Sequence, residues 1–235
     1  MINVSIFNEF LHERSSERVA KIYPNGIHEA LRENLSDDEI AVRTFTLDNV
    51  EEITDEVLAS TDVFMWWGHK GHDKVPDEVA VRVQQACLAG MGMIFLHSGH
   101  HSKPFKLLMG TPCNLSWRED GDREYLWVCD PSHPIVQGIG NYIEFEHEET
   151  YCEPFMIPEP DKLIFIGNYE GGEAFRSGCC YRRGYGKIFY FQPGHETFPT
   201  FYKPEVIRVL KNAIHWAYSD YRGVLDCPHI KKMGE

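Results

Sequence analysis

Short apolar runs alternate with helical stretches along the chain, and this rhythm constrains the fold most. Strand-like runs occupy residues 2–7, 41–45, 62–67 and 93–96, with helical periodicity at 19–35 and 76–90. A buried run at 187–191 and an amphipathic helix at 203–218 return to the pattern near the end. Alternating strands and helices place strands parallel, with helices covering both faces of the sheet. The sequence therefore predicts an α/β fold, a three-layer sandwich around a mostly parallel central sheet.

The middle of the chain breaks this rhythm. Between about residues 111 and 185, short strand-like runs at 125–129, 142–146 and 163–166 are separated by Gly and Pro turns. We expect a single α/β domain over residues 1–221, with a β-rich insertion at about 111–185. Residues 222–235 are predicted to form a peripheral tail.

Charge and composition exclude several classes of partner. The chain carries 23 basic and 36 acidic side chains, a net charge of −13. Nucleic acids and anionic membranes attract a basic face, so neither is an expected partner, and no nucleotide cofactor is expected. No apolar run approaches the ~18–20 residues of a membrane span, and the N-terminus lacks the pattern of a signal peptide. The seven scattered cysteines favour a reduced, cytoplasmic protein.

Histidines and carboxylates follow four of the predicted core strands. The segments concerned are residues 8–13, 66–72, 97–101 and 192–196. Because ligands bind beyond the carboxyl ends of strands in open parallel sheets, these side chains should converge at one edge. The pattern selects His69, His97, His195 and Glu196, with Glu9 as a substrate-binding residue.

Residues 94–100 form a strand that runs into a glycine-containing turn, as in a nucleophile elbow. Class I glutamine amidotransferases carry a cysteine at this elbow, whereas His97 takes that position here. Histidine cannot perform the thiolate chemistry, so amide transfer from glutamine is not expected. A hydrolase built on Ser98 is disfavoured, because Ser98 follows the elbow position instead of occupying it.

Several ordered segments resemble the trehalose-utilisation (ThuA-like) family. They are residues 23–28, 66–69, 95–99, 171–178, 188–196 and 212–217. The resemblance covers about residues 2–220 and implies a class I amidotransferase-like, flavodoxin-like fold and a role in carbohydrate (trehalose or disaccharide) utilisation. Family members accompany sugar dehydrogenases that make 3-keto-glycosides, and the resemblance implies that this chain processes such keto sugars.

The selected residues suit that chemistry. A keto sugar has acidic protons next to its carbonyl, and removing one requires a base and an electrophile for the oxyanion. One divalent metal ion (Zn, Mn, Fe, Co or Ni), held by histidines and a carboxylate, would serve as the electrophile. The predicted ligands are His69, His97, His195 and Glu149, the last of which matches a Glu-x-Tyr feature of the family. The predicted catalytic residues are His97, His195, Glu196 and Glu149.

Further residues are assigned to substrate binding. Arg118 and Arg176 would hold sugar hydroxyls or a carboxylate, as planar donors do well. Trp67 and Tyr151 would supply a wall on which a sugar ring stacks. The expected partner is a sugar or keto sugar, and the many aromatic residues favour a homo-oligomer.

Two functions of different class fit the sequence. The first is a lyase, hydrolase or isomerase that acts on an oxidised glycoside. The second is a non-catalytic sugar-binding or regulatory protein on an amidotransferase-like scaffold without the nucleophilic cysteine. The metal content of the purified protein would discriminate between them.

Overall fold

A computed structural model describes residues 1–234 of the chain and contains one nine-stranded sheet within that range. The strands are β1 (Ile2–Asn8), β2 (Ile40–Thr46), β3 (Val63–Trp67), β4 (Gly92–Leu96), β5 (Ser116–Val128), β6 (Tyr142–Cys152), β7 (Lys162–Tyr169), β8 (Ala174–Arg183) and β9 (Gly186–Phe191). The α-helices are α1 (His12–Ser15), α2 (Glu17–Ile22), α3 (Ile27–Leu35), α4 (Asp55–Ala59), α5 (Asp77–Ala89), α6 (Lys103–Met109) and α7 (Pro204–Ala217).

The sheet is parallel in one half and antiparallel in the other. Its strand order is β2-β1-β3-β4-β9-β8-β7-β5-β6. Pairing is parallel from β2 through β9 and antiparallel from β9 through β6. The α/β class is therefore confirmed, but predominantly parallel pairing holds only for the first five strands in this order. The segment predicted as an insertion extends the same sheet through β8, which pairs with β9.

Helices cover both faces of the sheet, which gives three layers. The apolar residues of α3 and α7 join one buried cluster, and those of α5 and α6 join another on the opposite face. In β3, Trp66 belongs to the second cluster and Trp67 to the first, so the two rings lie on opposite faces and both are buried. Such burial on both faces is typical of a central parallel strand.

The end of the chain lies against this framework without joining the sheet. Residues 222–234 form no helix or strand and are mostly exposed, while the Arg222 guanidinium donates to the Thr61 and Gly90 carbonyls. Glu235, the last residue of the predicted tail, lies outside the described residues. The seven cysteines, all within residues 1–234, are free thiols. Among the helices of that range, none has the length and apolarity needed to cross a membrane.

Candidate functional site

The ends of β3, β4 and β9 bring three histidines together at one edge of the sheet. The ring centroids of His69 and His97 are 5.7 Å apart, and the His195 centroid lies 5.3 Å from each of them. These strands are neighbours or next neighbours in the sheet, so residues that follow them meet at the same edge. The convergence of the three histidines follows the pattern that the strand ends predicted.

His97 occupies the sharp turn after β4 in a left-handed backbone conformation, with φ of 52°. Non-glycine residues rarely adopt this conformation, and it concentrates at functional sites. The buried ring lies with Nδ1 3.1 Å from the Gln192 carbonyl and Nε2 3.0 Å from Glu149 Oε2. Both neighbours are acceptors, so the ring donates from both nitrogens when it is protonated.

His97 and Glu149 each shift the pKa of the other toward the charged form. Burial alone would lower the pKa of His97, but contact with the Glu149 carboxylate outweighs it and raises that pKa. Burial alone would raise the pKa of Glu149, but the same contact lowers it. Both shifts favour the charged forms, so the contact between the two side chains stabilises a buried ion pair over the neutral pair.

Glu196 connects two histidines. Its Oε2 lies 2.9 Å from His69 Nδ1, and its Oε1 lies 2.8 Å from His12 Nδ1. Burial opposes ionisation, yet these contacts hold the pKa of Glu196 far below its usual range, and the contact with Glu196 raises the pKa of His12. The contact with the Glu196 carboxylate fixes the orientation of the His69 ring. His12 was not selected from the sequence, although it follows β1 as the other histidines follow their strands.

His195 is a buried neutral ring. Burial, followed by the nearby His97, lowers its pKa to about 4. Its Nδ1 lies 2.8 Å from the Thr197 hydroxyl and accepts from the Thr197 backbone N–H at 3.3 Å. Since an amide can only donate, this contact places the ring proton on Nε2. Within the described residues, Nε2 has no hydrogen-bond partner, and the Glu119 carboxylate lies 3.5 Å away.

Two buried carboxylates position the loops that carry these histidines. Glu148 accepts hydrogen bonds from the Gly194 and His195 backbone N–H groups at 3.1 and 3.2 Å. Glu9 accepts from the Lys70 and Gly71 N–H groups at 2.9 and 2.7 Å. Glu9, predicted to bind substrate, is thus turned toward the backbone of the loop that holds His69. Glu148 was not selected, because the Glu-x-Tyr feature pointed to its neighbour Glu149.

A cavity of about 280 Å³ opens beside the histidine cluster. Three predicted site residues contribute to its wall: His69, Glu149 and Tyr151. Tyr151 donates to or accepts from the Ser98 hydroxyl at 2.7 Å, and its ring stacks on His97 with centroids 5.3 Å apart. Lining residues not predicted for the site include Lys70, His72, His100, Asn114, Trp117 and Glu119.

Besides Glu9, three residues predicted to bind substrate lie outside this wall. The Trp67 ring is buried and donates from Nε1 to the Gly194 carbonyl at 3.0 Å. Arg118 pairs with Asp120 at 2.8 Å and also with Asp122 and Glu173. Arg176 pairs with Glu153 at 2.7 Å. Both guanidinium groups are therefore engaged by carboxylates of the β-rich half.

Four side chains form a group able to hold a metal ion. Nitrogen atoms of His69, His97 and His195 and a carboxylate oxygen of Glu196 all lie within 4.8 Å of one another. This donor set fits zinc and similar divalent ions. Glu196 takes the place in the group that was predicted for Glu149, which contacts His97 instead.

The hydrogen-bond partners of each histidine ring determine which nitrogen could bind a metal ion. At His97, Nδ1 faces the Gln192 carbonyl, so Nε2 is the ligand atom, and a metal there would replace the present contact between Nε2 and Glu149 Oε2. At His195, metal binding requires the other tautomer, in which Nδ1–H donates to the Thr197 hydroxyl. The buried His195 Nε2, without a partner among the described residues, is available for a ligand.

Comparisons with known proteins agree with the fold. The family model described as ThuA, trehalose utilisation, matches residues 3–217. A ThuA-like protein of Bacteroides uniformis superposes with a TM-score of 0.68 at 14% identity, covering 94% of this chain and 92% of that one. A cytoplasmic protein of Salmonella typhimurium gives 0.64 at 12%, covering 93% and 100%. A glutamine amidotransferase of Thermotoga maritima gives 0.57 at 11%, covering 92% and 97%. No curated protein matches the sequence significantly.

Proposed function

Since the chain belongs to the ThuA (trehalose utilisation) family, we propose that it is an enzyme that processes a 3-keto-glycoside by moving a proton next to the keto group. The observation that carries this proposal is the contact between His97 and Glu149 beside the cavity, with His69 and His195 within 6 Å of His97 by ring centroid. Titratable groups with opposed pKa shifts in one cleft are typical of acid–base sites.

In the proposed reaction, Glu149 is the base and His195 stabilises the oxyanion. Glu149 is ionised at neutral pH because of His97 and lines the cavity, so it accepts the proton from the carbon next to the carbonyl. The electrons of that C–H bond form an enolate, whose oxygen accepts a hydrogen bond from His195 Nε2–H. A neutral imidazole with its proton on Nε2 is suited to this role.

The enolate then expels the glycosidic oxygen from the adjacent anomeric carbon. The electrons return as a carbon–carbon double bond, the carbonyl re-forms, and the glycosidic C–O bond breaks. Glu149 passes its proton to the departing oxygen, so the site ends in its starting protonation state. If water adds to the enone in the site, the net reaction is a hydrolysis. If the enone is released without addition of water, the enzyme is a lyase.

We also propose that His69, His97, His195 and Glu196 hold one divalent metal ion. The ion would take the place of the hydrogen bond from His195, because Nε2 cannot donate a proton while it binds a metal; when bound, it would supply a Lewis acid for the carbonyl oxygen. Elemental analysis of untagged protein should give about one equivalent, lost in His69→Ala and kept in the control His147→Ala, which lies outside the group. Metal-free wild-type protein would remove the ion from the proposal and leave acid–base chemistry.

The proton step can be tested without knowing the natural glycoside. When a 3-keto-glycoside is incubated with the protein in D₂O, the hydrogen on the carbon next to the carbonyl should exchange for deuterium. NMR follows this exchange, which should occur before or together with release of the departing group. Glu149→Gln should abolish exchange. Binding of the keto sugar without exchange or cleavage by the wild-type protein would support the non-catalytic sugar-binding alternative instead.

We propose a cytoplasmic location, which is supported by the free cysteines and by similarity to the cytoplasmic Salmonella protein. The homo-oligomer stays a prediction, to be checked by light scattering.

A further inference from the structure

Trp117 is an exposed aromatic residue at the cavity. Its exposed fraction is 64%, the highest of any tryptophan among the exposed large apolar residues. It lines the same cavity as His69 and Glu149. A large apolar ring held in water beside a polar cleft is a typical feature of a ligand site.

The strand register connects Trp117 to the histidine cluster. In the antiparallel pair of β5 and β6, Trp117 lies opposite Tyr151. Directly opposed residues project from the same face of a sheet. Tyr151 in turn stacks on His97 at an interplanar angle of 20°. Trp117 is therefore a cross-strand neighbour of Tyr151, whose ring stacks on the buried His97.

Glu119, two residues after Trp117 on β5, shows how far Trp117 lies from the histidine cluster. Its carboxylate lies 3.5 Å from His195 Nε2 and lines the cavity. Two residues along an extended strand span about 6.6 Å, roughly the width of one sugar ring. Trp117 thus lies about one ring width along β5 from Glu119, whose carboxylate faces His195.

We infer that Trp117 is the stacking platform of a second ring-binding subsite, which holds the departing ring of the glycoside. This inference rests on the proposed function, in which the oxidised ring lies against the histidines. The ring that fits is uncharged, a sugar or an aryl group, because Glu119 and Glu149 in the same wall repel phosphate or carboxylate substituents. Glu119 accepts a hydroxyl hydrogen bond between the two rings.

The test compares substrates that differ only in the departing group. For Trp117→Ala, kcat/KM for a 3-keto-disaccharide should fall about tenfold, mainly through KM, because the apolar face of the departing ring loses its stacking partner. The 3-keto methyl glycoside should change less than about twofold, since methanol leaves the platform empty. Trp117→Phe should restore most of the disaccharide activity.

Trp127→Ala is the matched control, because Trp127 is an exposed tryptophan of the same strand outside this cavity. It should leave both substrates unaffected. Equal losses on both substrates in Trp117→Ala, or no loss on either, would overturn the subsite while the proposed function stands.

A binding experiment separates the two proposals. Titration with unoxidised trehalose should change the tryptophan fluorescence of the wild-type protein and of Trp127→Phe, and this change should disappear in Trp117→Phe. Methyl glucoside at the same concentrations should have little effect. If no keto sugar is turned over but the Trp117 signal is present, the proposed reaction fails and the subsite stands. A signal that persists in Trp117→Phe would overturn the subsite.

Discussion

His97 and Glu149 form a buried pair, with His97 Nε2 3.0 Å from Glu149 Oε2. His97 lies at the turn after β4, and Glu149 reaches it from β6. A thiolate there would attack a carbonyl, whereas a histidine and a carboxylate can exchange protons. The turn thus holds the His97 ring at the sheet edge, where the chemistry available is proton transfer.

Replacing Glu149 by Gln tests this pair. The substitution keeps the shape but removes the charge, so the pKa of His97 should fall, because burial then acts without its main opponent. Loss of the base should reduce kcat by about 10²–10⁴-fold. The activity and an NMR titration of the His97 ring measure the two effects. Glu144→Gln, an exposed change on the same strand, is the control, and wild-type kcat in Glu149→Gln would exclude Glu149 as the base.

Ser98 provides a contrasting prediction. Its hydroxyl is 2.7 Å from the Tyr151 hydroxyl and belongs to the residue after the elbow. Because no role as nucleophile is expected, Ser98→Ala should retain activity within about threefold, and mass spectrometry of the protein during turnover should show no covalent adduct. A loss above a hundredfold together with an adduct on Ser98 would point to hydrolysis through a serine ester.

The parts of the site that could be predicted from the sequence are those that follow from where the strands end. His69, His97 and His195 follow buried strands directly, so knowing the strand ends suffices to bring them to one edge. Thr197 lies two residues from His195, but its role depends on the tautomer of that ring. Glu148 reaches the His195 backbone N–H from β6, 47 residues away in the chain, and no local motif marks that contact.

The second half of the fold shows the same limit. Strand-like runs between residues 111 and 185 predict β structure, but their antiparallel register decides which side chains reach the cavity. That register places Trp117 at the cavity and engages Arg118, its neighbour on β5, with Glu173 of another segment. Sequence alone favoured Arg118 and Trp67, because an arginine and a paired tryptophan are typical sugar contacts when exposed.

Thr197 links metal binding to one proton. A metal on His195 Nε2 requires Nδ1–H to donate to the Thr197 hydroxyl, which lies 2.8 Å away. Thr197→Val removes that acceptor and keeps the backbone N–H, so metal affinity should fall about 10–100-fold, as when other partners behind metal-bound histidines are lost. Thr197→Ser should keep the wild-type affinity. Competition with a chromophoric chelator measures both, and an unchanged Kd in Thr197→Val would show that His195 is not a ligand.

Glu124 should make the protein less stable as the pH rises. Its side chain is fully buried on β5, with one contact from the Ser177 hydroxyl at 3.4 Å and its other oxygen without a partner among the described residues. Burial, reinforced by the nearby Glu148 charge, raises its pKa well above the usual value. A carboxyl with a raised pKa in the folded state favours folding while protonated. That contribution is complete below the unfolded pKa of about 4.3 and is lost as the pH rises through the folded pKa.

Glu124→Gln has nearly the same shape and cannot ionise, so it removes this loss. Its melting temperature should match that of the wild-type protein near pH 4 and exceed it at pH 8, by about 2–4 °C for each kcal/mol recovered. Differential scanning calorimetry across this range measures the difference, with the exposed Glu146→Gln on β6 as a control that should show none. A Glu124→Gln protein less stable than wild type at pH 8 would mean that the carboxylate is ionised and held by partners such as buried water. The buried acid would then be a stabilising anion behind the histidine site.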